Sequence, residues 1–171
     1  FIKSKKLSKT LSSITVRPAT SEDVSAVVKL ARSLSIAEGR RASQLTKIAY
    51  LRDGFGDNPA FSALVAEVDC RIAGYALYFE GYDTGRAVRG VYLSDLYVDK
   101  AWRRQGIGRS LMQATANACK ELGGEWMFWS VLKSNKSARK FYRTIAPELT
   151  DVIICATIGA NFQKLANNSS Q

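Results

Sequence analysis

Arg103, Arg104, Gln105, Gly106, Ile107, Gly108 and Arg109 set three guanidinium groups around two glycines in one short stretch. That spacing is chemistry for an anion. Glycine lets the backbone approach a phosphate without a Cβ in the way. The first N–H groups of a helix point outward, and the helix dipole is positive there. Arginines add charge-assisted hydrogen bonds. A pyrophosphate is the natural guest. The spacing is neither Gly-x-Gly-x-x-Gly nor a Walker loop, which needs Gly-Lys-Ser/Thr. It fits Arg/Gln-x-x-Gly-x-Gly/Ala.

Other chemistries are closed by composition. The chain has no histidine, which removes Ser-His-Asp triads, Cys-His dyads and His-based zinc sites together. Acid–base work falls to Asp, Glu, Tyr, Lys, Cys or water. The three cysteines, Cys70, Cys119 and Cys155, are widely spaced and form no Cys-x-x-Cys. They read as free buried thiols in a reducing compartment.

The elements that must hold the loop follow from periodicity. Residues 14–17 alternate as a first strand. Thr20 or Ser21 caps a helix whose apolar stripe is Val24, Val27, Val28, Ala31 and Leu34, and a weaker helix covers about 42–52. The cluster at 53–59, rich in Gly, Asp and Asn, breaks the chain. Runs at 61–68 and 72–79 make a hairpin around Asp69, Cys70 and Arg71. Residues 81–90 read as loop. Residues 91–98 are the richest strand in β-branched and aromatic side chains. From Gly108 the period becomes helical through Leu111, Met112, Thr115, Ala118, Cys119 and Leu122, with Gly123 and Gly124 at the stop. A buried strand at 126–132 follows, in which Trp126 and Trp129 read as core. A helix from Asn135 is ended by Pro147. A last strand at 152–158 and a short helix near 162–165 complete the order β-α-α-β-β-β-α-β-α-β. The expected fold is a single α/β (α+β) domain over 14–168, a mixed, mostly antiparallel sheet flanked by helices.

Length and composition agree with one globular domain: 171 residues, 46% hydrophobic and 23% charged. No apolar run is long enough to span a bilayer, and no signal peptide is evident. The net charge is +10, but four lysines lie in residues 1–13, a Ser-rich tail without acids. That tail reads as disordered and compatible with organellar targeting. The remaining +6 is a weak argument for nucleic acid, and no helix-turn-helix, zinc-finger or RNP motif is present. Neither nucleic acid nor membrane is an expected partner, and a cytoplasmic setting is expected.

With a strand before the glycine loop, a helix after it, a further strand, and a helix from Asn135 carrying Phe141 and Tyr142, the chain resembles the GNAT superfamily of N-acetyltransferases over residues 14–166. The run Tyr92, Leu93, Ser94, Asp95, Leu96, Tyr97 and Val98, with Tyr82 and Asp83 upstream, is similar to the spermidine/spermine (diamine) and thialysine acetyltransferase branch. The resemblance implies an enzyme that moves acetyl from acetyl-CoA to a primary amine by direct attack, without a metal and as a homodimer. The amine is a small molecule or a protein amine; a diamine, polyamine or amino acid fits the branch.

The resemblance also implies roles. Arg103, Arg104, Gln105, Gly106, Ile107, Gly108 and Arg109 would hold the pyrophosphate. The backbone of Leu96, Tyr97 and Val98 would bind the acetyl and pantetheine arms, one N–H polarising the thioester carbonyl. Tyr142 would protonate the departing thiolate, although four residues after Ala138 it also suits plain packing. Asn135 would touch the pantetheine or phosphate region, or simply cap its helix. Asp83 and Asp95 would hold a cationic substrate, although Asp83 also reads as a solvated loop acid and Asp95 as a structural acceptor. The pattern is broken in two places. Ser94 stands where the branch has a Glu base, so Glu80, Asp95 or a water chain must accept the amine's proton. Ala146 and Pro147 replace a Gly-aromatic pair. The Ser94 departure also motivates an alternative, a catalytically silent acyl-CoA sensor.

Overall fold

The computed structural model describes residues 13–167, so the tail read at 1–13 falls, except for Ser13, outside the described residues. The chain divides into two units, Phe1–Leu132 and Lys133–Gln171.

The first unit is built on one five-stranded sheet in the order β1-β2-β3-β4-β5. The strands are β1 (Ile14–Pro18), β2 (Ser62–Val68), β3 (Arg71–Asp83), β4 (Val88–Val98) and β5 (Gly124–Trp129). Successive pairs are antiparallel up to β4. β5 runs parallel to β4, which requires the crossover that α3 (Ile107–Glu121) supplies. The β2–β3 link is a two-residue turn with Asp69 at φ 49° and Cys70 at φ 59°, the double positive-φ geometry whose twist suits a hairpin.

Helices cover both faces. α1 (Val24–Ala37) and α2 (Lys47–Phe55) pack on the face carrying Val65, Tyr75 and Tyr97, where they bury Val27, Val28, Leu30, Ala31 and Tyr50. Burial pushes the Tyr50 phenol up to about 12. α3 lies on the other face: its Leu111 touches the space over Gly74, the neighbour of Tyr75 in β3. Ile107, Leu111, Met112, Thr115 and Cys119 form its buried stripe, as the periodicity requires.

Several boundaries differ from the sequence expectation. α2 starts at Lys47 rather than near 42, because Thr46 accepts from the Ala49 N–H at 3.1 Å and fixes the helix start there. Residues 81–90 are not a loop: β3 runs on to Asp83 and β4 begins at Val88. α3 begins one residue early, at Ile107 with Gly106 as its cap. β5 is shorter than expected and only half-buried, because among the described residues it is bonded to one neighbour alone. Of the cysteines only Cys119 is buried; Cys70 and Cys155 are exposed thiols.

The second unit contains α4 (Lys136–Tyr142) and α5 (Gly159–Asn167). The expected strand at 152–158 does not form; those residues are irregular and exposed, so the observed order ends α-α. β-propensity without a pairing partner does not make a strand. α4 ends at Tyr142, ahead of Pro147, with the Ile145 N–H donating to the Tyr142 carbonyl at 2.8 Å. Glu148 accepts from both Arg139 and Arg143, which pull its carboxyl down to about 2.

The entry to α1 is tied by one charge cluster. Arg17 in β1 donates to both oxygens of Asp23 at 2.7 and 3.0 Å, and also to Glu67 in β2. Asp23 in turn accepts from the Thr20 backbone. The Arg17 bonds hold the Asp23 carboxyl below its ordinary value. A depressed folded-state value means this stability is complete above the unfolded carboxylate range and is lost as pH falls through the folded value. Asp23→Ala is expected to lower unfolding stability by about 2 kcal/mol at pH 7. The difference from wild type should shrink on acidification below pH ~4, as urea melts at several pH values will read.

Candidate active site

β4 faces two partners of opposite sense and cannot follow both to its end. Its parallel register with β5 stops at Leu93 and Trp129. Residues 94–98 continue against β3 alone, so their backbone groups directed away from β3 have no strand partner. At the same point the β3 register slips: Leu77 pairs with Asp95 and Tyr78 with Leu93, which leaves Ser94 as the extra residue of a β-bulge. Alternation from Tyr97 places Asp95 on the face that carries Tyr75 and Tyr97, and the bulge brings Tyr92 rather than Leu93 onto that same face.

The strand then runs into the glycine loop. Asp99 caps a single turn, Lys100–Trp102, by accepting from the Ala101 N–H at 3.0 Å. Arg103 folds back, its Nε donating to the Val98 carbonyl at 3.0 Å and its guanidinium lying 5.3 Å over the Tyr97 ring. This arginine is therefore a brace between strand and loop as well as a charge. Arg104 (φ 66°) and Gly106 (φ 88°) both adopt left-handed backbone. The first helical bond of α3 runs from the Ser110 N–H to the Gly106 carbonyl at 3.0 Å. Backbone donors ahead of it point out of the helix start. Arg104, Gln105 and Gly106 are exposed around this end, while Ile107 is buried and anchors it.

The candidate acids do not converge. Asp95 accepts from the Tyr75 phenol at 2.6 Å through one oxygen and from the Ser94 hydroxyl at 3.3 Å through the other. Burial, then the Asp95 charge, pushes the Tyr75 phenol far up, so it stays a donor. Glu80 is three residues from Leu77, the partner of Asp95, and so faces the opposite side of the sheet, where Arg89 pairs with it at 3.1 Å. Asp83 is committed to the β3–β4 turn. It accepts from the backbone of Gly85 and Arg86, and the Arg86 side chain holds its carboxyl below the usual range. Among the described residues no three His, Cys, Asp or Glu side chains group as a metal site.

Comparison with known proteins decides what this arrangement belongs to. The model of the acetyltransferase (GNAT) family matches residues 28–145. A thialysine N-epsilon-acetyltransferase of Sus scrofa is 34% identical, covering 82% of this chain and 88% of its own. The spermidine/spermine N(1)-acetyltransferase-like protein 1 of Homo sapiens is 31% identical over 74% of this chain and 19% of its own. The fold is shared with an integron cassette protein from the mobile metagenome of V. cholerae, with TM-score 0.77 and 21% identity, covering 91% of this chain and 98% of that one. The chain belongs to the GNAT family. It is an N-acetyltransferase, and enzymes of this family use acetyl-CoA as co-substrate.

In this GNAT protein the remaining site candidates lie in the second unit. Asn135 caps α4, its Oδ1 accepting from the Ala138 N–H at 3.1 Å, which is the structural role weighed for it. Tyr142 ends the same helix, half-buried, with its ring 5.2 Å from that of Phe141. Tyr75 was not among the sequence candidates. It reads as an ordinary strand residue, and its bond to Asp95 joins positions twenty apart through strand register.

Gly106 gives the loop a direct test. A Cβ there meets nothing within 4 Å, so the cost of a side chain is the left-handed backbone alone. Gly106→Ala is expected to cost about 1 kcal/mol in stability. By turning the loop donors it should weaken coenzyme A binding by roughly tenfold. Thermal melts and calorimetry with coenzyme A separate the two effects.

Proposed function

We propose that this N-acetyltransferase binds acetyl-CoA along residues 96–98 and the 103–109 loop and transfers its acetyl group to a small primary amine by direct attack. The observation that carries this reading is the early end of the β4–β5 pairing. It leaves one backbone edge of residues 94–98 with no strand partner, and that edge leads straight into the glycine turn at the start of α3. Ladder alternation turns the Tyr97 groups to β3, as the Asp99 N–H bond to Ala73 shows, so the N–H and C=O of Leu96 and the N–H of Val98 then pair with the pantetheine arm as a missing strand would. One N–H among them polarises the thioester carbonyl and holds the negative oxygen of the tetrahedral intermediate. The loop donors take the pyrophosphate.

The amine nitrogen forms its bond to the thioester carbon, and the carbon–sulfur bond breaks. The amine must be deprotonated for this attack. The Ser94 hydroxyl already donates to Asp95, so a proton handed to the Ser94 oxygen passes on to that carboxylate. Asp95 is held for this task by the Tyr75 phenol. Glu80, on the other face, takes no part. Tyr142 donates a proton to the leaving thiolate, and water restores it.

The relatives support a small acceptor. Their names give thialysine, spermidine or spermine, and L-ornithine as what those proteins acetylate. The reading includes a homodimer in solution. The silent-sensor alternative is not favoured, because Ser94 keeps a carboxylate in reach.

The purified chain with acetyl-CoA and a panel of primary amines should release free thiol, followed with a thiol reagent. Tyr142→Phe should lower kcat by about 10²- to 10³-fold while the KM for acetyl-CoA changes little. Failure of coenzyme A to bind at all would overturn the reading.

A further inference from the structure

The sheet face that carries Tyr75 and Asp95 continues beyond the cover of α1 and α2 as a row of aromatic rings. Phe79 of β3 is opposite Tyr92 of β4, which is opposite Phe128 of β5. Residues opposite each other in a ladder share a face. Trp126 lies two residues before Phe128 on that same face, its ring centroid 5.0 Å from that of Phe128. Phe79 and Tyr92 stack at 5.2 Å. Phe79 is 44% and Phe128 48% exposed, so these rings are not core. Contiguous exposed aromatics of this kind mark a binding surface.

The surface is rigid by construction. Gly90 and Gly81, opposite each other in β4 and β3, form a floor under the Trp126 indole. A Cβ on Gly81 would sit 2.6 Å from that ring, and one on Gly90 would overlap it. The Trp126 indole N–H donates to the Val88 carbonyl at 3.4 Å, and the Tyr92 hydroxyl donates to Ser130 at 3.0 Å. The wall also joins the acetyl-transfer point without a break. Tyr92 is two residues before Ser94, and the Leu77–Asp95 pair is the next on this face after Phe79–Tyr92.

Charge around the wall argues against a polycation. The nearby acids, Asp83 and Glu80, are neutralised by Arg86 and Arg89, and Glu80 is on the far face. Glu38, at the end of α1, also acts on the Tyr75 phenol but is paired with Arg40 at 3.3 Å; among these acids Asp95 is the one on this face that the described residues leave without an arginine partner. We infer that the acceptor is a monoamine with a flat, π-rich body, an arylalkylamine, that lies on Phe79, Tyr92, Trp126 and Phe128 with its nitrogen at Ser94 and Asp95. This rests on the acetyltransferase reading above and names its substrate class.

The test compares 2-phenylethylamine and tryptamine with spermidine and lysine, using thiol release and, independently of turnover, calorimetric binding of each amine. The aryl amines should show kcat/KM at least tenfold above the other two. Phe128→Ala, at a half-exposed edge position, should cut that preference about tenfold, and Phe128→Tyr should restore it. Gly90→Ala, which displaces Trp126, should also lower it. Faster turnover of spermidine or lysine would overturn the aryl assignment and leave the acetyltransferase reading intact. An unchanged preference in Phe128→Ala would remove the wall from the argument. Absence of any aryl-amine binding or turnover would likewise sink the proposal, whatever coenzyme A does.

Discussion

Everything at the candidate site depends on the divided loyalty of β4. An antiparallel partner on one side and a parallel partner on the other cannot both follow it to Val98, because β5 ends at Trp129. Backbone donors and acceptors that lose a strand partner must find water or a ligand. The fold therefore creates a strand-shaped vacancy of hydrogen-bonding capacity without any special side chain. The bulge at Ser94 is the matching device on the other edge. It absorbs one residue and so puts Tyr92 on the face where alternation already sets Asp95 against Tyr75. Arg103 fastens the end of this strand by bonding to the Val98 carbonyl while lying over Tyr97.

The carboxylates around this strand show how position limits chemistry. Three acids were within reach by sequence distance alone. Strand alternation puts Glu80 on the wrong face, and the turn uses both oxygens of Asp83. Asp95 remains, and both of its oxygens accept from hydroxyl groups. A carboxylate so held is oriented, and it has a hydroxyl relay at its side. Ser94 is therefore part of a pair with Asp95, and the pair is the proton path proposed above, one that serine alone could not offer.

Much of this was legible in the sequence where local chemistry acts alone. The glycine–arginine loop could be read because positive φ at Gly106 and a helix start at Ile107 are local demands. The α1 and α3 stripes could be read because burial repeats at the helical period. Features set by distant partners were not legible. Residues 81–90 look like a loop because Gly81 and Gly90 lower strand propensity, yet both are paired and serve as the floor for Trp126. The apolar run at 152–158 looks like a strand, yet has no ladder to join. The Tyr75–Asp95 bond depends on strand register and leaves no local mark.

A division of labour follows from what builds each end of the site. The acetyl-CoA end is proposed to rest on backbone groups and glycine conformations, which many side-chain sequences can produce. That explains how a protein only 21% identical can share the fold closely. The acceptor end rests on side chains projecting from one sheet face. Those can change without disturbing the β4 edge or the loop. Phe79 and Phe128 are half-exposed and contribute little to the core, so stability alone gives no reason to keep aromatic rings there. Their presence on the face of Asp95, in a row with the glycine-seated Trp126, is better explained by what they face than by what they support.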